Sequence, residues 1–245
     1  MDSESILDTP VATIVARSPG TGRVFERFGI EYCCQGRRRL GEACAERGVS
    51  PGEVLKALRS ASGPATGEPD VLGMTMIELA DHIERTHHAR LKTELPRLCE
   101  MAAKVERAHG DHHEELADLQ RTVDTFAEEM FEHMAAEERV LFPAIRTIER
   151  DGGGPAPLVS DAIRCMMSEH EDAGEALERM RSLTGGFVPP ADACPTFRAL
   201  LHDLNELESD THRHVHKENN FLFPGAARAL GITIPGMDDH AASSA

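Results

Sequence analysis

Two stretches of this chain repeat one frame of side chains able to hold a metal. "HMAAEERVLFP" (133–143) and "HVHKENNFLFP" (214–224) each place His first, Glu fifth and Leu-Phe-Pro at the end. On a helix, residues i and i+4 project from one face a single turn apart. His133 with Glu137, and His214 with Glu218, are therefore pairs that can grip a shared cation. The Leu-Phe that follows supplies apolar packing below each pair, and the Pro predicts a kink or local break.

A site inside a helical bundle also needs ligands from the facing helices. His88 lies in line with Ile77, Glu84, Leu91, Leu95 and Leu98, and His170 with Ile163, Met166, Met167 and Leu177. His88 precedes His133 by 45 residues and His170 precedes His214 by 44. The chain thus reads as two helix pairs, each giving one lone His and then one His-x-x-x-Glu. Four His and two Glu suit two metal ions with the carboxylates as bridges. Each ion would receive two imidazoles and one oxygen from each Glu, leaving room for a bridging oxygen and a small ligand. Imidazole suits iron, zinc, copper and nickel alike, so the donor set alone leaves the metal open.

Neighbouring residues give weaker signals. His87 and His216 fall off the favoured faces and are predicted to be solvated. His212 and His216 form an i,i+4 pair, a zinc clip with no matching second half. Glu129, Asp210 and Glu84 each stand four residues before a candidate ligand, and Glu169 adjoins His170. All four could orient an imidazole, although an exposed helix charge is the plainer reading. A second chemistry sits in "GIEYCCQG" (29–36), where Cys33 and Cys34 are adjacent. They are either small fillers or redox thiols, since a disulfide between neighbours is strained and easily reduced. Flanking Arg37, Arg38 and Arg39 predict lowered thiol pKa values, which favour nucleophilic, soft-metal or nitrosyl chemistry. Cys44 could join them. Cys99, Cys165 and Cys194 have no partner pattern and read as ordinary thiols.

The elements that must position these residues are helical. The chain has 245 residues, no Trp, one Tyr and 9 Phe. Ala, Leu, Glu and Arg dominate and β-branched runs are absent, which predicts an all-α protein with an aliphatic core. Residues 1–60 carry 9 Lys/Arg against 8 Asp/Glu; residues 61–245 carry 17 against 34, and all 13 His. "SASGPATGEPD" (60–70) separates the two by a linker composition. The division is a small helical, cysteine-containing domain (1–60), a linker (61–70), an up-down four-helix bundle (71–232) and a disordered tail (233–245). Residues 71–245 are expected to fold alone. The small domain reads as four short helices around the cysteine loop, with "SPGT" (18–21) and "SPGE" (50–53) as helix starts capped by Ser. The bundle helices are predicted at Thr75–Ala108, His113–Arg150, Pro157–Leu183 and Thr196–Leu230. Acidity argues against nucleic-acid or anionic-membrane partners. No stretch approaches the ~18 apolar residues of a membrane span, and the acidic start lacks a signal peptide. A cytoplasmic protein with reduced thiols is expected.

The ligand set, with "SEHEDAGE", "HMAAEE" and "HKENNFLFP", resembles the hemerythrin-like bundle of bacterial iron–sulfur cluster repair di-iron proteins. "FGIEYCCQG" resembles the small cysteine-bearing domain that precedes that bundle. The resemblance covers about residues 5–230. It implies a non-haem, oxo- or hydroxo-bridged centre of two iron ions on His88, His133, Glu137, His170, His214 and Glu218, with both Glu bridging. It further implies cytoplasmic repair of iron–sulfur proteins damaged by nitric oxide or peroxide, with nitric oxide or dioxygen as small ligand and Cys33 and Cys34 as redox thiols. A homodimer is compatible with it. Two other functions stay open: a di-iron nitric oxide reductase, and a dioxygen or nitric oxide sensor. A carrier of that kind needs no cysteine loop and usually has a fifth His.

Overall fold

The computed structural model describes residues 3–61 and 70–234. The described residues are helical, with no β-strand among them beyond an isolated bridge between Pro10 and Arg39. The helices are α1 (Ser3–Leu7), α2 (Val11–Arg17), α3 (Gly22–Phe28), α4 (Leu40–Arg47), α5 (Pro51–Ala61), α6 (Met76–Ile83), α7 (Ala89–His109), α8 (Glu115–Ala136), α9 (Phe142–Asp151), α10 (Ala156–Leu183), α11 (Pro195–Lys217) and α12 (Phe223–Leu230). Single π-helical turns join α6 to α7 (Glu84–His88), α8 to α9 (Glu137–Leu141) and α11 to α12 (Glu218–Leu222). The four long helical stretches fall within a few residues of their expected ends. Where a kink or local break is predicted at each Leu-Phe-Pro, the α-helix gives way to a π turn that ends at the Leu. Helix continues through Pro143 and Pro224, because a Pro in the first turn of the new α-segment loses only a donor that the π turn already leaves unpaired.

The chain divides into two compact units. One comprises residues 81–144 and 162–211. Its core is one apolar cluster from four helices: Leu91, Leu95 and Leu98 of α7; Leu119, Val123 and Phe126 of α8; Leu177 and Met180 of α10; Leu200 and Leu204 of α11. These positions recur every three or four residues, the periodicity of a single buried helix face. Short connections at 110–114 and 184–194 join neighbouring helices of this unit.

The other unit comprises residues 1–80, 145–161 and 212–245. Its apolar core gathers Val11, Val15, Phe25, Tyr32, Leu40, Cys44, Val54 and Leu58. Pro51 opens α5 as the sequence predicts. Ser18 does not cap α3; Pro19–Thr21 forms a 3-10 turn in which the Thr21 hydroxyl donates to the Ser18 carbonyl at 2.6 Å. Gly29 ends α3 in the left-handed conformation (φ 65°), which opens the cysteine loop. At the loop's far end, a Cβ on Gly36 would lie 2.2 Å from the Tyr32 carbonyl and 2.9 Å from Asn220 Oδ1. Only glycine fits there. Residues 1–60 pack in one unit with α12, the last of the described helices. The predicted linker and tail lie mostly outside the described residues.

Candidate metal centre

Each His-x-x-x-Glu frame ends where α-helix gives way to a π turn, and His88 closes the third such turn. A π turn adds a residue to the helical repeat, and such bulges concentrate at functional sites. It lets His and Glu share one face while the following Leu and Phe point into the core. Leu141, Phe142, Leu222 and Phe223 are all fully buried. His170 lies in regular α-helix. All six candidate ligands are buried, and Glu137 and Glu218 have 0% of their surface exposed.

In the first-described unit, His88, His133, Glu137 and His170 converge. Glu137 Oε2 lies 3.2 Å from His88 Nε2 and 3.4 Å from His133 Nε2, and His133 Nε2 lies 3.3 Å from His170 Nε2. Outside groups set the tautomers. His88 Nδ1 meets Glu138 at 2.8 Å, and His133 Nδ1 meets Glu169 at 2.7 Å. A neutral imidazole that donates from Nδ1 presents a bare lone pair at Nε2. The cluster therefore turns the Nε2 lone pairs of His88 and His133 on a carboxylate, neither oxygen of which accepts a hydrogen bond. Burying such a set without a positive charge is costly. The residues fit a cation.

The carboxylates behind the imidazoles are held ionised. Burial works to raise the Glu138 carboxyl, but hydrogen bonds from Lys92 and His88 outweigh it and bring it below its ordinary value. Glu169 is lowered chiefly by its bond from His133. Glu169 thus orients His133, on the other helix, rather than the adjoining His170. Glu129 is exposed and plays no such part. Glu138 was not among the expected residues; it takes the role assigned to Glu84. Asp210 faces His87 Nδ1 at 3.3 Å and Arg90 at 3.5 Å. His87 is buried rather than solvated, because that carboxylate receives its ring.

In the other unit, His214 Nε2 and Glu218 Oε1 are 2.9 Å apart. His216 is also buried, against expectation. Its Nδ1 lies 3.1 Å from the Tyr32 carbonyl oxygen, and burial pushes its pKa down to about 4. His212 turns to Glu26 at 3.5 Å, so the zinc-clip pair is committed to separate partners. Asn220 Nδ2 donates to the Cys33 carbonyl at 2.8 Å, and Asn219 Nδ2 lies 3.6 Å from Cys34 Sγ. The turn that begins at Glu218 is thus in direct contact with the cysteine loop.

The predicted lowering of the thiol pKa is corrected for Cys33. Arg38 pairs with Glu46, and Arg39 with Asp8 at 3.6 Å. Cys33 is held well above the ordinary thiol range by its contact with Cys34, by burial and by the Glu31 charge. Cys44 is a core residue. Cys99 and Cys194 pack partly buried against the bundle core, and Cys165 is exposed.

The fold and its donor set define a class. The hemerythrin HHE cation binding domain matches residues 55–226, and a domain of unknown function (DUF542, ScdA_N) matches residues 7–62. The chain belongs to the hemerythrin HHE family, in the branch that carries this N-terminal domain. It is 34% identical over 219 residues to the iron-sulfur cluster repair protein YtfE of Enterobacter sp. (strain 638), covering 89% of this chain and 96% of that protein. YtfE of Escherichia coli O157:H7 matches to the same extent. The iron-sulfur cluster repair protein ScdA of Staphylococcus haemolyticus (strain JCSC1435) is 33% identical over 213 residues, 87% of this chain and 95% of its own. No helix among the described residues is long and apolar enough to cross a membrane.

Proposed function

We propose that this chain repairs iron–sulfur clusters damaged by nitrosative or oxidative stress in the cytoplasm. In this reading His88, His133, Glu137, His170, His214 and Glu218 together hold two iron ions, with Glu137 and Glu218 as bridges. The observation that carries it is the buried Glu137 carboxylate, which accepts no hydrogen bond while imidazole Nε2 atoms crowd around it. The doubled His-x-x-x-Glu frame on two equivalent π turns supports a matching half at His214 and Glu218. The names of the relatives support the repair role.

Iron held there would supply the redox chemistry toward nitric oxide or dioxygen. The chain's own residues do the rest. Glu138 and Glu169 fix the rings of His88 and His133 with Nε2 inward, which removes the cost of ordering them when metal binds. Leu141 and Phe142 exclude water beneath Glu137, and Phe142 stacks on His88 with ring centroids 5.6 Å apart. Exchange with a client protein needs groups nearer the surface. Cys34 is exposed and Cys33 adjoins it, so these thiols are the candidates for hand-off.

The test is reactivation of a cluster enzyme inactivated by nitric oxide, using full-length protein with matched iron loading. Wild type should restore activity. The Cys33→Ala, Cys34→Ala double variant should keep its iron and lose most of the repair. Full repair by the double variant would put the whole activity in the bundle, and no repair by wild type would refute the function.

A further inference from the structure

The cysteine loop has the geometry of a second metal site. The Sγ atoms of Cys33 and Cys34 are 3.9 Å apart. That is far beyond the ~2.05 Å of a disulfide. Two thiolates bound to one tetrahedral ion at about 2.3 Å would stand about 3.8 Å apart, close to the separation observed. Glu31 supplies a third donor: its Oε1 accepts a hydrogen bond from Cys33 Sγ at 2.6 Å and would open to about 3.5 Å on sharing a tetrahedral ion with it. The three ligand atoms lie within 4.8 Å of one another.

The loop's own hydrogen bonds hold it in this shape. Glu31 accepts backbone N–H bonds from Cys33 (2.9 Å), Cys34 (2.8 Å) and Gln35 (2.7 Å). Asn220 clamps the Cys33 carbonyl, and Gly36 closes the loop against the Tyr32 carbonyl. Little ordering entropy is then left to lose on binding. Packing alone explains Cys33, which is buried, but not Cys34, whose side chain is exposed.

The geometry points to a site for one thiophilic divalent cation, such as Zn(II) or Fe(II), on Cys33, Cys34 and Glu31, with the fourth position open to an outside ligand. Two thiolates select for such ions over magnesium or calcium. Binding replaces two S–H bonds by two metal–sulfur bonds and releases two protons, with no change of oxidation state. The proton that Cys33 now shares with Glu31 leaves, and the oxygen lone pair it occupied turns to the ion. Asn219 Nδ2, 3.6 Å from Cys34 Sγ, is placed to donate to the resulting thiolate. An open position beside an exposed thiol suits an ion in transit, whereas the His and Glu cluster is buried.

The site rests on the loop's geometry and not on the repair reading, and the two fail separately. The probe is Co(II), added to full-length protein stripped of metal under reducing conditions. Thiolate ligands give cobalt an intense near-ultraviolet charge-transfer band that His and carboxylate ligands do not. Wild type should develop this band, saturating at one ion per chain in addition to those bound without it. The Cys34→Ser variant and the Cys33→Ser, Cys34→Ser variant should lose the band yet keep their helical circular dichroism and remaining cobalt. Glu31→Gln should weaken the band's binding constant at least tenfold. No band in wild type, or an unchanged band in the double variant, would overturn the site.

Discussion

Glu137→Gln should change the stability of the protein in opposite directions with and without metal. Glu137 is fully buried and its oxygens accept no hydrogen bond. The amide is nearly isosteric, carries no charge, and can donate to the bare Nε2 of His88 or His133, now 3.2 and 3.4 Å from Oε2. An uncompensated buried carboxylate costs several kcal/mol, of which nearby imidazoles recover part when protonated, so removing it gains about 1–3 kcal/mol in the metal-free protein. For a chain of this size each kcal/mol moves the Tm by about 2–4 °C, which gives a rise of about 2–12 °C. The metal-loaded protein should behave the other way. An ion present at a hundred times its Kd stabilises the fold by about 2.7 kcal/mol, a contribution the variant largely forfeits. The assay is differential scanning calorimetry of wild type and variant, each stripped by chelator and each iron-loaded. A metal-free variant less stable than metal-free wild type, or one that still gains the wild-type increment on loading, would refute the reasoning.

Glu138→Ala and Glu169→Ala each free the Nδ1 of a clustered imidazole and should weaken iron binding about 10–100-fold without loss of helicity, measured by competition with a chelator. Deleting residues 1–62 removes Tyr32 and Cys33, whose carbonyls meet His216 and Asn220, so the remaining chain should melt well below full length rather than fold independently; an unchanged Tm would contradict this. Cys194 is lowered to about 7 by the backbone N–H of Phe197 and by His109. Its thiolate forms as pH rises through that value, so iodoacetamide labelling at Cys194 should have its midpoint near neutrality, with Cys33 labelled only at higher pH; peptide mapping that finds the reverse order would refute it.

Much of the fold was legible because helical periodicity is local. The apolar positions of α7 and α10 lie three or four residues apart, and their limits came within a few residues. The six candidate ligands were singled out because the frame occurs twice with matched spacing, and all six are buried. The π turns were not, since "EERVL" and "ENNFL" share only the frame's Glu and Leu and "ERTHH" only the Glu, a spacing that an ordinary α-helix also carries. Of the orienting carboxylates, Glu138 was missed and Glu169 was paired with the adjoining His170 instead of His133. Glu138 and Glu169 reach imidazoles on other helices, and sequence spacing reports only neighbours on the same one. Arg37, Arg38 and Arg39 looked like partners for the thiols because they are close in sequence, yet Arg38 and Arg39 are drawn to Glu46 and Asp8 by geometry that spacing does not carry. His87 and His216 were assigned to solvent by the same reasoning, before Asp210 and the Tyr32 carbonyl were known to receive them.

The central claim is a centre of two iron ions built from four His and two Glu. Metal analysis of the protein expressed with ample iron, read together with its optical spectrum, tests it most directly. The account predicts close to two iron per chain and near-ultraviolet oxo-to-iron charge-transfer bands, with much more than half the metal lost in Glu137→Ala and in Glu218→Ala. Stoichiometric zinc without iron, or a full complement of iron in either variant, would contradict it.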